Sequence, residues 1–239
     1  MAVPKITVYL DLVSPFAYIA FHILRNSPTF AKCEIEYVPI FLGGLMQTCG
    51  NTPPIAVKNK DKWIDVERLR WAKYFSVPMA DRVPDGFPLR TLQVQRALCA
   101  LSQISPAQVA PAMEALFRSS WVDRNAKIVD PNTFGSIIGQ VAGEEVAQQV
   151  VSLAECPEDP RNDISNYRDY DQVGQAHVKS LLTSNTERAF KDGAFGLPWF
   201  VCTNVNNKTE GFWGVDHIGQ VADFLGLDRS HNAGFRASL

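Results

Sequence analysis

The sequence predicts an α/β protein whose sheet is built from the two ends of the chain, with a block of helices inserted between them. Three observations carry this expectation. A strand, a helix and a second strand follow one another up to Ile40. From about Asp61 to Leu182 the apolar residues recur at helical spacing. The chain then returns to two strands around an Asn-rich turn and closes on a helix.

The first strand is read from Ile6, Val8 and Leu10, which alternate with Thr7, Tyr9 and Asp11. Ser14-Pro15 then opens a run carrying Ile19, Phe21, Ile23 and Leu24. Serine is a favoured helix N-cap and proline a favoured first helical residue. A second strand is expected over Cys33–Ile40, where Ile35 and Tyr37 alternate with Glu34 and Glu36. Strand, helix, strand in that order implies a parallel pair. Phe41-Leu-Gly-Gly-Leu-Met and Cys49-Gly-Asn-Thr-Pro-Pro54 follow, and their Gly, Asn and paired Pro mark a loop.

The helical block begins at Trp63–Phe75, with Trp63, Val66, Leu69 and Ala72 or Lys73 in register. Thr91–Ser102, Ala107–Val122, a helix opened by Asp130-Pro131, Glu144–Ala154 and a long Tyr167–Gly193 complete it. The last is expected to present Val173, Ala176, Leu181 and Ala189 on one face. Trp199–Thr203 and Thr209–Trp213 form a hairpin around Asn204–Lys208. The final helix starts at Gly214-Val-Asp216, with Asp216 as its expected N-cap. Parallel pairing first and an antiparallel hairpin last is the thioredoxin-like order. The expected division is therefore 1–58 with 184–228 as a thioredoxin-like domain, 59–183 as an inserted helical domain, and 229–239 as a C-terminal tail.

Composition bounds the function. The 239 residues are 46% apolar and 20% charged, with a net charge of −2. That balance gives no reason to expect nucleic acid or an anionic membrane as partner. No apolar run reaches the ~18 residues of a membrane span. With the first strand starting so early, the N-terminus is not expected to act as a secretory signal, and Arg236-Ala-Ser-Leu239 only faintly echoes a peroxisomal ending. Cys33, Cys49, Cys99, Cys156 and Cys202 are scattered and form no C-x-x-C pair. This points to reduced thiols in a reducing intracellular compartment, and away from a cysteine-ligated metal site. Mitochondrion, peroxisome and cytoplasm stay open.

Two short segments carry chemistry. Ser14 stands directly after a strand at the mouth of a helix. A helix N-terminus offers unsatisfied N–H groups and partial positive charge, which favour an anion such as a thiolate. The protein supplies only a hydroxyl there, so a thiol would have to arrive with a ligand. Gly193-Ala-Phe-Gly-Leu-Pro198 places a proline just before a strand, which makes Leu197–Pro198 a candidate cis peptide. Such a turn leaves the backbone before the proline open to an extended peptide.

Tyr9-Leu-Asp11-Leu-Val-Ser14-Pro15-Phe16, Gly50-Asn51-Thr-Pro53-Pro54, Gly193–Pro198 and Phe212-Trp-Gly214-Val-Asp216 occur in this order. Together they make the chain resemble the kappa-class glutathione transferases. More broadly it is similar to the 2-hydroxychromene-2-carboxylate isomerases and the DsbA-like thioredoxin superfamily, over about residues 4–227. The resemblance implies a glutathione site. Ser14, with Pro15 and Phe16, would face the glutathione sulfur and stabilise its thiolate. Leu197, before Pro198, would pair its backbone with the cysteinyl part, and Asn51 would contact the peptide. Val215 and Asp216 would hold the γ-glutamyl end, and Lys60 would lie near the glycyl carboxylate.

The implied activity is conjugation of glutathione to small hydrophobic or aromatic electrophiles, without a metal and with possible peroxidase chemistry. A glutathione-dependent isomerase is the second reading, supported by Trp213-Gly-Val-Asp216, and a redox-inert binding module is the third. The resemblance, with Trp63, Trp71, Tyr74 and Phe75, also implies a homodimer. Phe16 and Tyr18 are candidate walls for the electrophile, and His217 and Cys49 candidate neighbours of the ligand. Glu67, Arg68 and Arg70 read as a solvated helix face, with Glu67 a candidate partner across the dimer. His22 reads as structural, and His177 and His231 form no metal spacing.

Overall fold

A computed structural model describes residues 2–155, 169–230 and 233–236. Cys156, the start of the long helix at Tyr167, His231 and the extreme C-terminus lie outside the described residues, as does the side chain of Val173. Strand β1 (Lys5–Leu10) pairs in parallel with β2 (Glu34–Pro39) across helix α1 (Pro15–Asn26). β1 also pairs antiparallel with β3 (Trp199–Thr203), which forms the expected hairpin with β4 (Thr209–Trp213). The sheet order is β2-β1-β3-β4, with Ile6 between Ile35 and Cys202.

β1 is central and covered on both faces. The strict alternation read from the sequence therefore fails at its C-terminal end, where Tyr9 and Asp11 are as buried as Val8 and Leu10. A strand with both neighbours and both faces occupied has no solvent side for its polar residues.

Helix α2 (Leu42–Thr48) occupies the stretch expected as a loop. Two glycines disguise it. The Phe41 ring covers this turn so closely that a Cβ on Gly43 would lie 2.9 Å from Phe41 Cζ. The helical block consists of α3 (Lys60–Tyr74), α4 (Leu92–Ile104), α5 (Val109–Trp121), α6 (Pro131–Ala142), α7 (Glu144–Ala154) and α8 (Asp169–Lys191). α6 starts as the sequence indicates, with the Asp130 carboxylate accepting from the N–H groups of Asn132 and Thr133. α8 turns Gln175, Val178, Leu182, Thr186 and Ala189 inward, so Ala176 faces out.

α3 is mounted differently from its apolar pattern. Trp63 and Val66 are exposed, and Arg68 is completely buried. The Arg68 guanidinium donates to Asp65 Oδ1 (2.7 Å), Ala80 O (2.7 Å) and Asp81 O (2.8 Å). A buried cation is tolerable when its donors are matched this way, and it ties α3 to the irregular segment after it. Arg68 is thus no part of a solvated face, unlike Arg70. Phe75, at the end of α3, is also buried and packs edge-on against Phe235, at 5.2 Å between ring centroids. Phe235 lies on the short α10 (Ala233–Arg236) and also meets Phe30 at 6.0 Å. Residues from the sheet, α1 and the helical block belong to one continuous apolar core.

The helix after the hairpin, α9 (Ile218–Phe224), is preceded by a 3-10 turn at Val215–His217. Gly214, not Asp216, holds the cap position of that turn. Its φ of 87° suits glycine, and a Cβ there would collide with Asp216 Oδ1. Among the described residues no helix is long and apolar enough to cross a membrane.

Candidate functional site

A cleft of about 1400 Å³ opens where the C-terminal end of β1 meets the helical block. Its walls are the starts of helices. α1 contributes Ser14, Pro15 and Phe16, α3 contributes Lys60, and the 3-10 turn contributes Val215 and Asp216. Asn51 and Leu197 complete the set brought together from the sequence. Pro198 is adjacent but does not line the cleft. It is buried, and its carbonyl accepts from Gly214 N–H at 2.9 Å.

Ser14 is in extended conformation, and its Oγ accepts from Ala17 N–H at 3.2 Å. A hydroxyl has one hydrogen to donate as well as lone pairs to accept with. Capping uses a lone pair, and among the described residues nothing takes the hydrogen. Ser14 can therefore cap α1 and donate to a ligand in the cleft at the same time. The N–H groups of the first turn of α1 add their partial positive charge at the same place.

The Leu197–Pro198 peptide is cis, as the sequence suggested. Among the described residues no hydrogen bond takes up the N–H or C=O of Leu197, so both remain for an extended ligand. The Asn51 amide donates to Phe195 O at 2.8 Å, tying the loop after α2 to the segment before Pro198. Val215 is buried and Asp216 exposed, and their backbone N–H groups have no acceptor among the described residues. The Asp216 carboxylate lies 3.3 Å from His217 Nδ1. His217 itself does not line the cleft.

Phe16 lies half-buried on the cleft wall, but Tyr18 belongs to the core. Its hydroxyl donates to Pro78 O at 2.9 Å, its ring packs on Phe117, and burial pushes its pKa up to about 12. His22 stacks edge-on against Tyr18, and burial holds its pKa below the usual histidine value. Cys49 is on the cleft, with its thiol directed at Leu45 O, 3.0 Å away. Glu67 also reaches the cleft, where Arg70 holds its carboxylate at 2.6 Å.

Several cleft residues escaped the sequence reading. Phe195 and Trp213 form an aromatic wall, 4.8 Å between ring centroids. Gly196 permits this close approach, since a Cβ there would be 2.7 Å from Trp213 Nε1. Phe87–Thr91 also lines the cleft, with a second cis peptide at Phe87–Pro88 and the exposed Arg90. Gly86-Phe-Pro88 could have been noticed by analogy with Gly196-Leu-Pro198. Asp11 is the deepest omission: fully buried, it lies three residues before Ser14 on the same wall. Among the described residues no group of three or more His, Cys, Asp or Glu is placed to hold a metal ion.

Comparison with known proteins agrees with this architecture. The chain is 25% identical over 228 residues to glutathione S-transferase kappa 1 of Caenorhabditis elegans, covering 93% of this chain and 91% of the relative. It is also 25% identical over 222 residues to the 2-hydroxychromene-2-carboxylate isomerase of Sphingobium xenophagum, covering 91% and 95%. A solved structure of a 2-hydroxychromene-2-carboxylate isomerase superposes with a TM-score of 0.68 at 19% identity, over 93% of this chain and 94% of that one. The family model for the DSBA-like thioredoxin domain matches residues 5–155, more than half of the chain. With its strand–helix–strand start, its serine-capped α1 and its helical block all within or beside that match, the chain belongs to the DSBA-like thioredoxin domain family.

Proposed function

We propose that this protein is a glutathione transferase of kappa type, activating the glutathione thiol for attack on small electrophiles. One observation carries the reading. The Ser14 hydroxyl, still holding a free hydrogen, shares a cleft with the unpaired backbone of Leu197 and the unpaired N–H groups of Val215 and Asp216. A tripeptide thiol needs these three kinds of partner. Its cysteinyl backbone would pair with Leu197 in extended fashion. Its γ-glutamyl carboxylate would take the N–H groups at the 3-10 turn, and Asp216 its amine. Lys60 would face the glycyl carboxylate from the rim.

The chemistry follows. The thiol loses its proton to solvent, and the Ser14 hydrogen bond and the α1 N-terminus stabilise the anion left behind. The thiolate attacks an electrophilic carbon, a C–S bond forms, and a leaving group departs with its bonding electrons. Peroxidase chemistry and a homodimer through the exposed side of α3, where Trp63 and Tyr74 lie, belong to the same reading. Phe75 is in the core and takes no part in that face.

The test is titration with reduced glutathione while the thiolate absorbance is recorded, for wild type and Ser14→Ala. A thiolate band at neutral pH that disappears in the variant supports the reading. Binding with no band, or a band untouched by the substitution, rejects it.

A second reading is favoured by the aromatic wall of Phe195 and Trp213, which suits a flat ring. In that case glutathione adds to a ring-derived intermediate, permits rotation about a bond and leaves again. Net glutathione consumption during turnover separates transferase from isomerase.

A further inference from the structure

Asp11 is fully buried, yet its carboxylate accepts three hydrogen bonds from three separate segments. Val13 N–H donates to Oδ1 at 3.1 Å, the Thr91 hydroxyl to the same oxygen at 2.6 Å, and Leu42 N–H to Oδ2 at 2.8 Å. The Asp11 carbonyl also accepts from Ser14 N–H at 3.0 Å. Leu42 is the first residue of α2 and Thr91 the cap residue of α4, and neither helix has a side-chain cap of its own. Thr91 directs its hydroxyl at Asp11 instead of at its own helix.

Nothing electrostatic requires a charge here. Among the described residues no cation pairs with Asp11. The charged side chains on the same cleft are Lys60 and Arg90 at the rim, Glu67 held by Arg70, and Asp216 beside His217. Burial pushes the Asp11 carboxyl up to about 6, against the pull of its three hydrogen bonds. An unpaired buried acid is costly, so its retention needs a reason that a neutral side chain could not meet. Acceptor capacity supplies one. An amide accepts on one side only and donates on the other, so asparagine leaves at least one of the three donors unmatched.

We propose that Asp11 is the positioning residue of this cleft, fastening the Ser14 turn, the start of α2 and the start of α4 to one point and so setting where the Ser14 hydroxyl meets the glutathione sulfur. The inference rests on the transferase reading. α2 leads directly into the Cys49–Asn51 loop, and Thr91 follows Arg90, so one carboxylate fixes three walls of the cleft.

The test compares wild type, Ser14→Ala, Asp11→Asn and Thr91→Val, measuring thiolate absorbance per bound glutathione against pH, with binding by calorimetry and folding by circular dichroism. Positioning expects Asp11→Asn to raise the pKa of the bound thiol, lowering the thiolate fraction about tenfold near neutral pH. Thr91→Val moves it the same way by a smaller factor. A merely structural role lowers the melting temperature and leaves the bound thiol's pKa unchanged. A role of charge alone lowers that pKa, because removing a negative neighbour favours the thiolate. Either of these last two results in a folded Asp11→Asn overturns the proposal. If Asp11→Asn does not fold, Thr91→Val decides by the same rule. A band lost in Ser14→Ala but unchanged in the Asp11 and Thr91 variants overturns positioning and leaves the transferase reading standing, whereas a wild type with no band overturns both.

Discussion

The starts of α1 and α2 flank one cleft and are capped in opposite ways. α1 is capped from within by Ser14, three residues from the N–H that it serves. α2 has Phe41 at its cap position, which offers no side-chain cap, and Leu42 N–H borrows Asp11 from 31 residues away. A local cap is a property of a short sequence word. A borrowed cap exists only once the fold has brought two segments together. The first kind can be released for function, because a serine hydroxyl has a hydrogen to spare. The second kind is saturated by its own structural bonds.

Four perturbations test that contrast. The largest effect is expected from Ser14→Ala. Removing one donor aimed at a developing or resident anion costs about 100-fold in kcat/KM, while the lost cap costs only about 1 kcal/mol of stability. Turnover with an aryl halide and a denaturant melt measure the two, and comparable losses in both would mean that Ser14 is a cap alone.

The next is the pH dependence of stability at Asp11. Its carboxyl titrates near 6 when folded and near 3.8 when free. The folded state therefore holds the proton more tightly, and stability falls as pH rises through that window. The full cost, about 3 kcal/mol as an order of magnitude, is reached above the folded value. Glu36, whose carboxylate is held below its ordinary pKa chiefly by Arg188, contributes with the opposite sign. The difference between wild type and Asp11→Asn isolates the Asp11 term, and denaturant midpoints on either side of the window that give a pH-independent difference would refute the buried-charge account.

Gly214→Ala should be smaller, at about 1–2 kcal/mol, because an L residue is strained at that φ and its Cβ displaces the Asp216 carboxylate. Glutathione affinity should fall with it, and calorimetry beside a thermal melt checks both. Lys60→Ala should be the mildest. An exposed cation at the cleft rim contributes a few-fold in affinity at low salt, an advantage that added salt erases. An effect of Lys60→Ala that survives high salt would place Lys60 closer to the ligand than this geometry does.

The same contrast explains what was legible in the sequence. The Ser14 and Asp130 caps, the 199–213 hairpin and the cis peptide before Pro198 are encoded within a few residues, and the structure has them where the words stand. α2 was hidden because its glycines read as a loop and its cap is remote. Arg68 was misjudged because its partners, Ala80 and Asp81, lie beyond the helix in which it was read. Asp216 looked like a cap because aspartate often is one, but the positive φ of Gly214 moved the boundary back. In the candidate site, the residues at helix starts were found and the aromatic wall was not. Phe195 and Trp213 meet only after the hairpin folds onto the cis turn.

The packing of Phe235 works as a long-range brace. Its ring is wedged between Phe30, which follows α1, and Phe75, which ends α3. The opposite end of α3 begins at Lys60 on the cleft rim. A rigid helix transmits a shift at one end to the other, so clipping the chain before Ala233 should loosen the rim at the far end of α3. Protease sensitivity would then rise between Pro54 and Lys60, and the far end of the sequence would govern how firmly its middle is held.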